Sequence, residues 1–119
     1  MSVGMTILVV GLLGAAGALI RYGIHEAFSR AKRSVRVATV WSNVLGSLGL
    51  GVIVGADWGP WSLIVGAGLF GALSTLSTLA VDVAELLKTD RSQAIPVLSG
   101  HVLGGLAAFG LGFALGLVF

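Results

Sequence analysis

Long apolar segments follow one another along this chain, with only short polar stretches between them. The segments cover about residues 3–27, 37–56, 62–87 and 94–118. A helix needs roughly 20 apolar residues to cross a hydrocarbon layer about 30 Å thick. The pattern therefore predicts an all-α integral membrane protein with four transmembrane helices. These crossings use nearly all of the 119 residues, so we expect a single domain over 1–119.

Composition supports the membrane interpretation and argues against two classes of function, nucleic-acid binding and catalysis. Apolar side chains make up 56% of the residues and charged ones 10%, which lies outside the usual range of soluble domains. The basic residues are scattered between apolar spans, so nucleic acid is not an expected partner. The sequence contains no nucleophile and base constellation and no phosphate-binding loop. We therefore predict that the chain is not an enzyme.

Positive charge is confined to one side of the predicted topology. All seven Lys and Arg residues lie at or in the loops after the first and third spans: Arg21, Arg30, Lys32, Arg33, Arg36, Lys88 and Arg91. Cytoplasmic loops of membrane proteins are enriched in these residues. We expect a multi-pass protein of the cell (inner or plasma) membrane, with loops one and three cytoplasmic and both termini outside. The size of the bias favours one fixed orientation.

Glycine accounts for 19 residues and recurs inside the spans. Examples are the run Gly11, Gly14 and Gly17 and the pair Gly100 and Gly104. Because burying apolar side chains gains little in lipid, close approach through small residues is a main source of helix association there. The spacing predicts helices that pack backbone to backbone.

The third span is the most informative segment. Its hydroxyl-rich run, residues 74–78, comes shortly after Gly66, Gly68 and Gly71. This pattern predicts a third helix broken at mid-membrane, where freed carbonyls can hold a cation and freed N–H groups can face an anion. The alternative is an unbroken helix whose hydroxyls bond back to their own turn.

A few polar residues stand alone within apolar surroundings. The amide of Asn43 needs a partner at membrane depth, either a neighbouring helix or a permeating anion. Arg21 is either an interfacial anchor or a residue that concentrates anions at a pore mouth. His101 is expected to hydrogen-bond between helices rather than to bind metal. We expect Asp82 and Glu85 to pair with Lys88 at surface depth.

Several of these segments together resemble the small fluoride channels of the Fluc or CrcB family. They are residues 14–22, Thr39 with Asn43, 46–51 and 68–79, so the resemblance covers the first three spans well and the fourth less well. It implies an antiparallel, dual-topology-type dimer in membrane lipid. It also implies a structural sodium ion at the dimer centre, which is not transported, and fluoride pores along the subunit boundary.

The resemblance also implies roles for individual residues. The sodium ion would be held by the backbone carbonyls of Gly71 and Ser74. The residues placed along the fluoride pathway are Arg21, Asn43, Ser77, Thr78, Leu76 and Leu79. The last two stand where the family has two Phe residues.

This departure changes the predicted assembly. Leucine has no ring quadrupole and hence no positive edge to offer an anion. A chain with one fixed orientation also needs an oppositely oriented partner. We hypothesise a heterodimer with a paralogue that retains the Phe residues, and otherwise a homodimer.

The function implied by the resemblance is passive export of cytoplasmic fluoride, which reduces its toxicity. Two alternatives remain open at this point. One is a four-helix exporter of the small multidrug-resistance type, although Glu26 is the first acidic residue and lies only at the end of the first span. The other is a non-conducting structural subunit of a heterodimeric channel.

Overall fold

The computed structural model describes residues 1–74 and 76–119, with the backbone alone at Val35, Leu76, Ser77 and Thr78. All regular structure among these residues is helical, as predicted. In chain order the elements are α1 (Val3–Arg30), α2 (Val35–Ala56), α3 (Pro60–Val65), a π-helical turn (Gly66–Phe70), α4 (Gly71–Leu73), α5 (Leu76–Thr89) and α6 (Arg91–Gly116).

Three helices of the described residues, α1, α2 and α6, are long and apolar enough to cross a membrane. The segment Pro60–Leu73 is a shorter apolar helix. Large apolar side chains stay exposed along the long helices, as with Leu19 of α1 at 70% and Leu103 of α6 at 66%. Such surfaces are typical of helices that face lipid. The proposed limits of the four crossings remain predictions.

A tight turn fixes the start of α3 against the end of α2. Gly59 adopts φ 61° and ψ −135°, a conformation that side chains with a Cβ rarely reach. Pro60 follows at the first helical position, where its fixed φ suits a helix start. The hydroxyl of Ser62 donates to the carbonyl of Ile53 at 3.1 Å and accepts the N–H of Trp58 at 2.8 Å. These bonds hold the two helix ends together.

Helical geometry stops at Ser74, inside the predicted third span. Ser74 has φ −90° and ψ 149°, which is extended backbone. Its N–H and its hydroxyl both donate to the carbonyl of Phe70, each at 3.1 Å. The π-helical turn lies directly before this point, and π turns often mark functional sites. The predicted break is therefore present, and its depth in the membrane remains a prediction.

Helices α2 and α6 touch backbone to backbone along a seam of four glycines. A Cβ at Gly51 would lie 2.2 Å from the carbonyl oxygen of Phe109, and one at Gly55 would lie 2.3 Å from that of Phe113. On α6, a Cβ at Gly112 would lie 2.1 Å from the carbonyl oxygen of Leu48. A Cβ at Gly116 would lie 2.2 Å from the carbonyl oxygen of Val52. No side chain fits at these positions. We call these four residues the glycine seam.

Helix α1 packs against the third segment through a second close approach. A Cβ at Gly17 would lie 2.3 Å from the carbonyl oxygen of Leu69, in the π-helical turn. A Cβ at Gly68 would lie 2.9 Å from the Cβ of Leu13. Gly11, by contrast, has no atom within 4 Å of the position its Cβ would take. Close packing through glycine is confirmed at Gly17 and is wrong at Gly11, which faces outward.

Candidate functional site

The break in the third segment lies directly against α2. A Cβ at Gly46 would lie 3.0 Å from the Cβ of Ser74 and 3.1 Å from the carbonyl oxygen of Phe70. Asn43 precedes Gly46 by three residues, so both lie on one side of α2, about one turn apart. The fold therefore brings Asn43 close to the break, as a shared pathway requires.

Asn43 is joined to α6 through His101. The side-chain amide of Asn43 donates an N–H to Nδ1 of His101. An imidazole nitrogen that accepts a hydrogen bond carries no proton, so in the neutral ring the proton lies on Nε2. The expected interhelical hydrogen bond of His101 is confirmed, and it also supplies the partner that the amide of Asn43 needs.

Further polar atoms are buried near this pair. His101 is 6% exposed, and its Nε2 is buried with no hydrogen-bond partner among the described residues. The same holds for the hydroxyl of Ser42, which is 0% exposed and lies one turn before Gly46 on α2. Together these residues form a polar interior beside the break.

Gly71 and Ser74, predicted as sodium ligands, both lie at the break. Gly71 begins α4, the last turn before it, and Ser74 is the extended residue itself. Carbonyls in the final turn of a helix have no partner within that helix. Backbone oxygens of this kind suit a hard cation, which binds several oxygen ligands at once. Two carbonyls from one chain are too few, so such a site needs a second subunit. Gly71 is exposed on the surface of the subunit.

The predicted fluoride-pathway residues after the break are described only in part. The side chains of Leu76, Ser77 and Thr78 lie outside the described residues, and their roles remain predictions. Leu79 is 7% exposed and therefore lies within the subunit core. A Phe at this position would add volume to a buried site.

Arg21 lies at the wall of a depression of about 290 Å³ that Ala18, Tyr22 and His25 complete. Tyr22 is 66% exposed, and Arg21 is half-buried. This is compatible with either predicted role of Arg21, a lipid anchor or an anion attractor, and the choice remains a prediction.

A hydrogen-bond bridge between α1 and α2 was not foreseen from the sequence. His25 Nδ1–H donates to the carbonyl of Arg21 at 2.9 Å, which leaves Nε2 to accept the hydroxyl of Thr39 at 3.0 Å. Thr39 is 0% exposed. The available signal was a His near the end of one apolar span and a Thr near the start of the next.

The expected pairing of Asp82 and Glu85 with Lys88 is wrong for the described residues. Among the ion pairs of the described residues, Glu85 Oε1 lies 3.6 Å from the guanidinium of Arg36. Lys88 is three residues from Glu85 on the same helix, but Arg36 reaches Glu85 from α2. The contact places the end of α5 beside the start of α2, so the loops predicted to be cytoplasmic lie at the same end of the subunit.

These features define a multi-pass helical membrane protein with an interrupted helix and a polar interior beside the interruption. The sequence profile of the family described as "CrcB-like protein, Camphor Resistance (CrcB)" matches residues 8–113. The chain belongs to this family, whose members are channels rather than enzymes.

Curated relatives align over nearly their whole length. The Fluoride-specific ion channel FluC 2 of Rhodococcus jostii is 40% identical over 113 residues, which covers 93% of this chain and 98% of the relative. Fluoride-specific ion channel FluC 1 of Listeria monocytogenes is 38% identical, with 92% and 95% covered. The Fluoride-specific ion channel FluC 2 of Natronomonas pharaonis is 39% identical, with 95% of this chain and 92% of the relative covered.

Proposed function

We propose that this chain is a subunit of a fluoride-selective ion channel that lets cytoplasmic fluoride leave the cell passively and so reduces its toxicity. The observation that carries the proposal is the placement of Asn43 one turn of α2 before Gly46, which packs against the break at Ser74. The relatives of the chain are named fluoride-specific ion channels. Neither the position of Asn43 nor the names of the relatives supports the alternative of a small multidrug-resistance-type exporter.

The energetic demand on such a pathway is large. Moving a small ion from water into a medium of low dielectric constant costs on the order of 20 kcal/mol in the idealised limit. A pore must therefore replace the lost water with hydrogen-bond donors. Asn43 contributes a side-chain amide to the proposed pathway, and His101 fixes the orientation of that amide. Arg21, Ser77 and Thr78 complete the proposed pathway.

The structural sodium ion belongs to the same proposal. Its ligands are the carbonyls of Gly71 and Ser74 from each of two subunits, and its role is to hold the broken helices together. The donor chemistry supports sodium, because all of the proposed ligands are backbone carbonyl oxygens. Backbone oxygens favour a hard cation over a transition metal.

The proposed partner is a second subunit in the opposite orientation. An exposed stripe on the third segment, formed by Leu63, Ala67 and Gly71, gives it a surface to contact. We favour a paralogue over a second copy because Leu76 and Leu79 replace the aromatic residues expected for a conducting pore. The numbered names of the relatives, FluC 1 and FluC 2, accord with paired paralogues.

Fluoride efflux from liposomes tests the function. The purified chain is reconstituted alone and together with a co-expressed paralogue from the same genome, and efflux is followed with a fluoride electrode. We expect rapid efflux from the mixture, slow efflux from the chain alone, and loss of efflux in the mixture when Asn43 is changed to Asp. Rapid efflux from the chain alone would refute the heterodimer. Proton-coupled cation uptake without fluoride efflux would refute the channel.

A further inference from the structure

A cavity of about 300 Å³ lies between the starts of α2 and α6 and the end of α5. Its polar wall is formed by Ser34, Arg36, Thr89, Asp90 and Gln93. This cavity lies at the basic end of the subunit, far along α2 from the break at Ser74. It is separate from the proposed fluoride pathway.

Arg36 carries hydrogen-bond donors that the described residues leave unused. Its side chain is 36% exposed, and its single ion-pair contact in the described ranges, with Glu85, is 3.6 Å long. Its Nε is buried and has no hydrogen-bond partner among these residues. A guanidinium has five N–H donors in a planar fork that matches phosphate oxygens. The cavity therefore suits a phosphate group.

Asp90 adds the opposite charge to the same cavity. It precedes α6, and its side chain makes no capping hydrogen bond with that helix. One of its carboxylate oxygens accepts the hydroxyl of Ser92. A simple anion beside Arg36 would meet repulsion from this carboxylate. A group that joins a phosphate to an ammonium satisfies both residues.

The depth of the cavity indicates what else the occupant contains. Its walls reach from Ser34, before α2 begins, to Val97, six residues into α6 and about 9 Å along its axis. Leu86, which is 3% exposed, also lines this deeper part. The cavity thus passes from a charged rim to an apolar floor, as the boundary between lipid headgroups and hydrocarbon does.

We propose that this cavity binds the headgroup of phosphatidylethanolamine. The phosphate accepts hydrogen bonds from Arg36, the ammonium lies against Asp90, and the glycerol and first methylenes pack against Val97. The site anchors the basic end of the subunit in the membrane. This assignment does not depend on what the channel conducts.

Lipid binding by the intact chain, measured by native mass spectrometry, tests the proposal. The probes are phosphatidylethanolamine, phosphatidylcholine and phosphatidylglycerol with identical acyl chains. Phosphatidylcholine keeps the phosphate but has no N–H, and phosphatidylglycerol lacks the amine. We expect phosphatidylethanolamine to bind about tenfold more tightly than either of the other two lipids. A difference of this size corresponds to one hydrogen bond between charged groups, here the ammonium and Asp90.

Variants assign the effect to the two residues. Arg36→Gln removes donors to the phosphate and is expected to weaken the binding of all three lipids. Asp90→Asn is expected to remove the preference for phosphatidylethanolamine over phosphatidylcholine. Arg33→Gln removes the same charge from the neighbouring loop and is expected to change nothing. Should Arg36→Gln fail to fold, Arg36→Lys keeps the charge without the fork and is expected to bind several-fold more weakly.

Three results would overturn the proposal. Equal binding of the three lipids would show that the cavity does not recognise the headgroup. An equal loss in Arg33→Gln would show a diffuse charge effect. Displacement by inorganic phosphate, without any preference among the lipids, would assign the cavity to a free anion.

Discussion

Asn43 on α2 donates an amide N–H to Nδ1 of His101 on α6, although 58 residues separate them in the chain. His101 thereby fixes which way the amide of Asn43 faces, and Asn43 fixes the tautomer of His101. The two residues behave as one unit, so a change in one should alter the other.

The first prediction separates this positioning role from simple packing. In His101→Asn the side-chain carbonyl can accept the N–H of Asn43, whereas in His101→Leu nothing can. Loss of a buried hydrogen bond costs about 1–3 kcal/mol. We expect His101→Leu to lower fluoride efflux about tenfold or more in the paired channel and to reduce thermal stability, and His101→Asn to keep much of both. Equal efflux from both variants would contradict the positioning role.

The second prediction concerns the glycine seam. In Gly112→Ala the new methyl group would lie 2.1 Å from the carbonyl oxygen of Leu48, so α2 and α6 must separate. We expect a loss of about 1–3 kcal/mol, as for other overpacked interiors. Gly110→Ala is the matched control, because no atom lies within 4 Å of its Cβ position. Thermal unfolding in detergent should show a lower melting temperature for the first variant only. Equal melting temperatures for Gly112→Ala and Gly110→Ala would show that the glycine seam accommodates an Ala.

The third prediction tests the contact between subunits at the break. In Gly71→Ala the added methyl group would lie 3.5 Å from the carbonyl of Gly66, an ordinary contact within the subunit. We expect the fold to survive but the dimer to weaken, together with any stabilisation by sodium over potassium. Cross-linking gives the dimer fraction, and melting temperatures in the two salts give the ion effect. Gly11→Ala, also exposed, serves as the control and should behave like the unmodified chain. An unchanged dimer fraction in Gly71→Ala would argue against a subunit contact at this residue.

The fourth prediction concerns Leu79, which the resemblance places where the family has a Phe. Leu79 is 7% exposed, so Leu79→Phe adds volume to a filled core and should cost about 1–3 kcal/mol. We expect lower thermal stability and no gain of fluoride efflux for the chain alone. Leu79→Met, which keeps the volume, should stay close to the unmodified stability. A large gain of efflux in Leu79→Phe would mean that the missing ring alone silences this subunit.

Sequence patterns predicted the elements better than their contacts. Apolar segments gave the helices because span length follows directly from bilayer thickness. The break was foreseen from glycines and hydroxyls, but its position at Ser74 also depends on Phe70 and Gly46, which lie on different elements. Asn43 and His101 were each expected to need a partner, and only the fold shows that they are partners of each other.

Charged contacts were harder to foresee for the same reason. Glu85 has Lys88 within reach on its own helix, which made the local pair the natural expectation. The distance to Arg36 depends on how α5 lies beside α2, and this arrangement is set by packing elsewhere in the subunit. The bridge from His25 to Thr39 likewise spans two helices.

The glycine seam has a mechanical consequence. Because the backbones of α2 and α6 touch at the seam, sliding or tilting one helix against the other would bring their backbone atoms into collision. We therefore expect these two helices to move together. We expect any rearrangement that accompanies ion passage to involve α1 and the third segment, whose helical geometry already stops at Ser74.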